Sequence, residues 1–255
     1  MNREIYDRIT SKKEFSQLPK QDVERAYSHF EKRQTTEEEK IKLTRNLLRE
    51  AFSAFSSSKL LSLPEKDAEW ILKKHLSTKE RANFYEEVYK RILGGFGRKI
   101  SVIDLGAGIN GFSYPFFKKA GFDVSYTGIE AIGQLVFLTE QYFKKKKIKG
   151  KMVHMSLFDI EGLKKIIKKT EMPRAILMFK VIDSLEMLEP DFSKKLIMEI
   201  AHNTERGVVS FATESMIRRT KFRADRRWFI DFLKENFTIL DDFEIGKERY
   251  IVFSK

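Results

Sequence analysis

The sequence predicts an α/β chain in which a doubly wound parallel sheet ends in a C-terminal antiparallel hairpin and follows a helical segment. Three observations carry that expectation. Beyond residue 98, short apolar runs alternate with helix-length amphipathic runs, the βα rhythm of a parallel sheet. Phe237 to Phe243 and Glu248 to Phe253 are two strand-like runs separated by a short turn around Gly246, hence a hairpin. Before residue 98 no period-two alternation occurs and helix-start signals dominate. The chain therefore divides into a helical N-terminal domain, residues 1–97, and a sheet domain, residues 98–255.

Thr35-Thr36-Glu37-Glu38-Glu39 reads as the capped start of a helix running to about Phe55, which Ser56-Ser57-Ser58 breaks. Pro64-Glu65-Lys66-Asp67 opens the next helix. Ser77-Thr78-Lys79-Glu80 has the spacing of a capping box for another, ending at Gly94-Gly95. Strands are expected near 99–104, 125–130, 152–159, 174–181 and 207–213, with helices between them and the hairpin after.

Residues 99 to 113 read as a buried strand entering a glycine-rich turn, Gly106-Ala107-Gly108-Ile109-Asn110-Gly111, with Asp104 two residues ahead of the first glycine. Glycines there let the backbone pass close to a nucleotide where a Cβ would clash. The spacing also satisfies the dinucleotide pattern, so the acid has to discriminate. A dinucleotide sets its pyrophosphate over the following helix and would be repelled by a carboxylate at the strand end. S-adenosylmethionine carries an ammonium and a sulfonium, which that carboxylate attracts. Asp104 thus favours S-adenosylmethionine. Glu130 ends a second strand, where a carboxylate can accept both ribose hydroxyls, and Leu157-Phe158-Asp159 closes a third, where an acid suits the adenine amine. The alternative for any of these acids is a helix N-cap.

The absence of cysteine excludes disulfides, thiolate metal sites and a cysteine nucleophile. With no run of about 18 apolar residues and no apolar N-terminal stretch, a cytoplasmic protein without a membrane partner is expected; a monomer without a metal partner is the further expectation. The net charge of +12, from 49 Lys+Arg against 37 Asp+Glu, points to a polyanionic partner.

His75-Leu76-Ser77-Thr78-Lys79-Glu80-Arg81 resembles the His-Ala-Ser-Thr-Arg-Glu-Arg segment of the aminoglycoside-resistance 16S ribosomal RNA (guanine-N7) methyltransferases. Asp104 to Asn110 is similar to that family's Asp-x-Gly-Cys-Gly-Leu-Asn, and Ile176 to Glu186 to its Leu-Leu-Leu-Lys-x-x-Pro-x-Leu-Glu. Ser210-Phe211-Ala212-Thr213 with Arg218-Arg219 stands where the family has Ser-Phe-Pro-Thr-Arg-Ser-Leu-Gly-Gly-Arg, and Ile245-Gly246-Lys247-Glu248 matches its closing Ile-Gly-x-Glu. The matches run from about residue 70 to the end. Ala107, Phe112-Ser113, Ala212, Glu214 and Met216-Ile217 depart from the pattern, mostly in the presumed target loop. The resemblance implies a class I, Rossmann-like methyltransferase fold, S-adenosylmethionine as cofactor, and 16S rRNA of the small ribosomal subunit as partner, methylated at N7 of a guanine in the decoding region.

On this reading the cofactor residues are Arg81, Asp104, Gly106, Ala107, Gly108, Asn110, Glu130, Phe158, Asp159 and Lys180, with the Arg81 guanidinium forked on the methionine carboxylate. Guanine N7 has an exposed lone pair, so catalysis needs positioning and no base; Lys180 is the one side chain with a conceivable catalytic part, and His75 is read as a cap or packing residue. The Asp/Asn-Pro-Pro-Tyr/Phe tetrapeptide of exocyclic-amine methylases is missing after strand four. Lys180, Asp183 and Glu186 could form a fragment of a ribose 2′-hydroxyl methylase set, which keeps that target open. A non-catalytic cofactor- and rRNA-binding assembly factor is the other alternative. Arg218, Arg219, Lys221, Arg223, Arg226 and Arg227, mixed with Phe222, Trp228 and Phe229, are the expected rRNA-binding cluster. The lysines at 144–149 and around 164–169 read as solvated helix faces.

Overall fold

A computed structural model of the chain describes residues 1–52, 68–74, 76–213 and 226–255. Among these, helices α1 (Arg3–Thr10), α2 (Lys20–Glu31), α3 (Glu37–Ala51), α4 (Ala68–Lys74), α5 (Leu76–Lys79) and α6 (Tyr85–Ile92) precede the sheet. The Thr36 hydroxyl caps α3 by accepting from the Glu39 amide, as its sequence predicts. That helix stops at Ala51, short of Phe55, and the Ser56-Ser57-Ser58 break and the Pro64 start lie outside the described residues. The capping box expected at Ser77 does not open α6. The Thr78 hydroxyl instead donates to the Leu72 carbonyl, closing α5 against α4, and α6 begins at Tyr85 after a turn.

The strands β1 (Lys99–Leu105), β2 (Asp123–Glu130), β3 (Gly150–His154), β4 (Arg174–Phe179), β5 (Arg206–Ala212), β6 (Thr238–Ile245) and β7 (Glu248–Ser254) form one sheet in the order β3-β2-β1-β4-β5-β7-β6. Neighbours among β1 to β5 pair parallel, while β7 inserts between β5 and β6, antiparallel to both. The β6–β7 turn is made by Gly246 at φ +64°. Strand β3 is shorter than its apolar run: the chain leaves the sheet at His154, so the 156–159 segment is a turn beyond the sheet edge.

Among the described residues, six α-helices follow the strands in sequence: α7 (Tyr114–Lys119), α8 (Gly133–Lys146), α9 (Ile160–Lys169), α10 (Ile182–Leu188), α11 (Phe192–Ile200) and α12 (Arg227–Asn236). Successive strand residues point to opposite faces, so β1 splits its side chains between two cores. Ile103 and Leu105 pack with Ile176, Leu163 and Leu196 on one face. Val102 packs with Tyr89, Phe117 and Tyr126 on the other. The edge strand β6 is guarded by ion pairs, Asp241 with Arg91 and Asp242 with Arg249, which blunt its tendency to pair with another chain.

Helices α1 to α3 pack on one another around Ile9, Phe15 and Leu48 and reach the carboxyl end of the sheet. The His29 ring nitrogen Nε2 lies 2.8 Å from the Leu188 carbonyl, and Gln134 Nε2 donates to the Lys13 carbonyl at 2.8 Å. Arg25 pairs with Glu189 at 3.2 Å. The N-terminal helices thereby stand beside the strand ends where ligands bind in open α/β sheets.

Candidate active site

At the carboxyl ends of β1, β2 and β4 lies a cavity bounded by the glycine turn, the segment after β3, α10 and the N-terminal helices. Asp104, Gly106, Ala107, Gly108, Asn110, Glu130, Phe158, Lys180 and Arg81 all line it; Asp159 does not.

The turn takes its shape from glycines. Gly106 has φ +69° and Gly108 φ +51°, the left-handed region that side chains rarely adopt. A Cβ on Gly106 would also stand 2.6 Å from Val181 Cγ2. The Gly106 and Ala107 amides donate to the Ile129 carbonyl at 2.9 and 3.0 Å, folding the loop back over β2. The Gly108 amide donates to Glu130 Oε2 at 2.7 Å and the Ile132 amide to Oε1 at 2.8 Å, so Glu130 is fixed with a lone pair spare on each oxygen. Burial raises its pKa, against the hydrogen bonds from Ile132 and Gly108.

Asp104 is buried and accepts on Oδ2 from Tyr126 Oη at 2.6 Å and from Asn110 Nδ2 at 2.7 Å. Asn110 Oδ1 in turn accepts from Tyr85 Oη at 2.7 Å and Arg81 Nη1 at 3.2 Å. Asn110 therefore ties the strand-end acid to α6 and the segment before it, rather than bonding within its own turn. Burial lifts the Asp104 carboxyl to about 6, moderated by the bonds from Tyr126 and Asn110 and by Arg81.

Arg81 carries the second half of this network. Its Nη2 and Nε hold Glu248 Oε1 and Oε2 at 2.5 and 3.2 Å, and its guanidinium stacks 4.3 Å from the Phe179 ring centre. The two-point grip that the sequence assigns to a ligand carboxylate is thus made on Glu248, while Nη1 donates to Asn110 Oδ1 and lies 3.5 Å from Tyr85 Oη. Glu248 also accepts from Ser210 Oγ and lies 3.4 Å from Lys180 Nζ. Burial alone would raise the Glu248 pKa, but Arg81 and Lys180 outweigh it and hold the group low. Lys180 sits at φ +57° where β4 ends, its amide on the Ser210 carbonyl, and its Nζ donates to Glu80 Oε2 at 2.7 Å. Glu248, Glu80 and Tyr85 are site residues that spacing did not single out, although all lie in or beside the matching segments.

Asp159 is a correction. Its Oδ1 accepts from the Gly162 amide at 2.9 Å and caps α9, because the chain leaves the sheet five residues earlier. The acid that does face this end of the cavity is Asp22 of α2. Its signal in the sequence is an acid on the buried stripe Asp22-Val23-Ala26-Tyr27 of an amphipathic helix.

The ribose-methylase fragment is not assembled. Asp183 takes the Arg226 fork at 3.1 and 2.6 Å, and Glu186 accepts from the Ser193 and Asp191 amides, so neither carboxylate joins Lys180. The same Arg226, expected among the rRNA-binding residues, is engaged by Asp183 and the Ala212 carbonyl. Phe229 is a core residue against Phe211, whereas Trp228 is 38% exposed with Lys194 Nζ 4.9 Å from its ring. Arg227 opens α12 at the surface. His75, Arg218, Arg219, Lys221, Phe222 and Arg223 lie outside the described residues.

No family model matches the chain. A 16S rRNA (guanine(1405)-N(7))-methyltransferase of Proteus mirabilis is 26% identical over 195 residues; the match covers 72% of this chain, and the chain spans 64% of that relative's length. Among solved structures, the chain is similar to the 16S rRNA methylase RmtB, with TM-score 0.75, 21% identity and 99% and 97% of the two chains covered. It is also similar to the 16S rRNA methyltransferase RmtF in complex with S-adenosyl-L-homocysteine, with TM-score 0.78, 19% identity and both chains covered in full. An rRNA methylase from Escherichia coli gives TM-score 0.74 at 20% identity over 99% and 98%. The fold is the class I methyltransferase fold, with the N-terminal helices included in the likeness. Among the described residues no helix is long and apolar enough to cross a membrane.

Proposed function

We propose that the chain is an S-adenosylmethionine-dependent 16S rRNA methyltransferase that methylates N7 of a guanine in the decoding region of the small ribosomal subunit, acting in the cytoplasm as a monomer. The observation that carries this reading is the cavity at the strand ends, where Asp104 and Glu130 flank a positive-φ glycine turn. The residues fit the cofactor: a turn that side chains would distort, two buried carboxylates, and an apolar wall of Leu157, Phe158 and Leu185. When bound, S-adenosylmethionine supplies a methyl group on a sulfonium, electrophilic enough to react with a neutral ring nitrogen.

The chain's own residues then have four tasks. Asp104 holds cationic charge at the end of β1. Glu130 accepts from ribose hydroxyls. Arg81 and Lys180 supply positive charge near the amino-acid end. Val181 and Phe179 keep water from the cavity floor, where well-aligned reactants gain on the order of 7 to 11 kcal/mol from orientation. The nucleophile carries no proton, and both Lys180 and Asp104 are engaged in hydrogen bonds, which agrees with a reaction that uses positioning and no base. Residues 1–97 act as the rRNA-docking domain beside the methyltransferase domain at 98–255, and Arg218, Arg219, Lys221 and Arg223, with Arg227 at the start of α12, contribute phosphate contacts at the mouth.

Incubation of small ribosomal subunits with the protein and S-adenosylmethionine, followed by borohydride and aniline, tests the proposal. Chain scission at one guanine of 16S rRNA is the expected result, because N7-methylguanine is cationic and labile. A methyl group on ribose or on an exocyclic amine would overturn the N7 assignment.

A further inference from the structure

Asp22 is 1% exposed, yet it belongs to a helix of the N-terminal segment and lines the cavity at the carboxyl end of the sheet. Its Oδ1 accepts the Ser156 hydroxyl, whose oxygen also accepts from the Phe158 amide at 3.0 Å. Its Oδ2 is buried with no hydrogen-bond partner among the described residues. A buried carboxylate oxygen left unpaired costs on the order of 1 to 3 kcal/mol, so an orphan of this kind calls for an explanation.

The surroundings specify what is missing. Glu130 pairs in register with His154 on the neighbouring strand, so Ser156 and Phe158 stand one strand across from the ribose acid. Leu157, Phe158 and Leu185 give apolar walls, and Arg25 stacks on Phe158 with its guanidinium carbon 4.1 Å from the ring centre. Apolar walls beside a buried, unpartnered carboxylate oxygen match a heterocycle carrying an amine.

We propose that Asp22 Oδ2 accepts a hydrogen bond from the exocyclic amine of the cofactor's adenine ring, the place Asp159 would have filled had it not been capping α9. The inference rests on the cofactor reading above and makes the N-terminal helices part of the cofactor site. An ionised carboxylate only accepts, so it favours an amine and opposes a ring oxygen at the same position. Burial raises the Asp22 carboxyl to about 6, tempered by the Ser156 bond and Arg25, which leaves it largely ionised at neutral pH.

Calorimetric titration with S-adenosylhomocysteine and with S-inosylhomocysteine, in which oxygen replaces the amine, decides the matter. The wild-type chain should bind the adenosyl compound at least tenfold more tightly. Asp22→Ala should lose at least tenfold for the adenosyl compound and stay within about twofold for the inosyl one, erasing the preference. Asp22→Asn keeps shape and a bond to Ser156, and serves if the alanine variant does not fold; its amide can turn to suit either ligand, so the preference should fall below threefold. Equal losses for both ligands, or an unchanged preference, would overturn the assignment while leaving the cofactor reading intact. If the wild-type chain bound neither compound, the cofactor reading would fall and this one with it.

Discussion

Arg81 and Glu248, 167 residues apart in the chain, meet inside the protein as a two-point ion pair, with Nη2 to Oε1 at 2.5 Å and Nε to Oε2 at 3.2 Å. Both side chains are almost fully buried. The pair fastens the turn before α6 to the first residue of β7, and Lys180, Ser210 and Tyr250 close around it.

Removing Glu248 leaves the Arg81 charge buried without its carboxylate, at about 3 to 5 kcal/mol, and removing Arg81 leaves Glu248 with Lys180 alone at 3.4 Å. Glu248→Leu should lower the unfolding free energy by that order in urea titrations, and Arg81→Met by less, because Lys180 still faces Glu248. The double variant, with no orphaned charge, should recover most of the loss. Cofactor affinity should remain reduced in the double variant, since Arg81 also lines the cavity. Additive losses in stability would show that the two residues do not act as a pair.

Gly106→Ala should lower both stability and cofactor affinity. At φ +69° an alanine costs about 1 to 2 kcal/mol, and its Cβ would press on Val181 Cγ2 at 2.6 Å. Adding Val181→Ala should relieve the contact but not the backbone strain. A double variant as stable as Val181→Ala alone would contradict the strained conformation.

The Asp104 carboxyl is raised from 3.8 to about 6 by burial, with Tyr126, Asn110 and Arg81 opposing. Its folded pKa exceeds its unfolded one. Cofactor-free stability owed to this group should therefore rise as pH falls from about 6 towards 4, since the folded chain takes up the proton first. Cofactor affinity should fall over the same window, by up to about tenfold per pH unit, because a cationic ligand needs the ionised acid. Titrations in an Asp22→Asn background, compared with and without Asp104→Asn, isolate the group. Parallel movement of stability and affinity would refute the assignment.

Arg218→Ala with Arg219→Ala should weaken binding to the small ribosomal subunit and reduce the slope of log affinity against log salt by roughly 1.5, because two fewer phosphates are neutralised by the protein. Arg226→Ala should leave that slope unchanged and cost about 1 kcal/mol in stability, because its fork holds Asp183 and the Ala212 carbonyl. Equal changes in slope for the two variants would remove the distinction.

Much of this site is legible in the sequence because it is local. The turn needs Gly106 and Gly108 next to a strand, and Asp104 and Glu130 end their strands, so a short window carries both element and role. Asp159 misled because a strand-end acid and a helix cap share one sequence signature; what separates them is where β3 leaves the sheet, set by pairing with β2 up to His154. Phe229 misled because an aromatic beside arginines reads as a stacking surface, while the turn of α12 aims it into the core. The burial of Asp22 is hinted at by its place on an apolar helix stripe, but its bond to Ser156 and the pairing of Glu248 with Arg81 are tertiary facts, which no window of the chain contains.

The bonds that frame the cavity span long stretches of chain: 100 residues between Glu80 and Lys180, 134 between Asp22 and Ser156, 167 between Arg81 and Glu248. Loop-closure entropy grows only logarithmically, about 0.6 kcal/mol per doubling, so distant partners weigh little on the finished fold. They weigh on its rate, since non-local pairings stabilise the chain only after the intervening residues have been ordered. A half-folded chain can hold the glycine turn in place and still have no pocket, which makes ligand capture a late event and a sensitive gauge of whether refolding has reached its end.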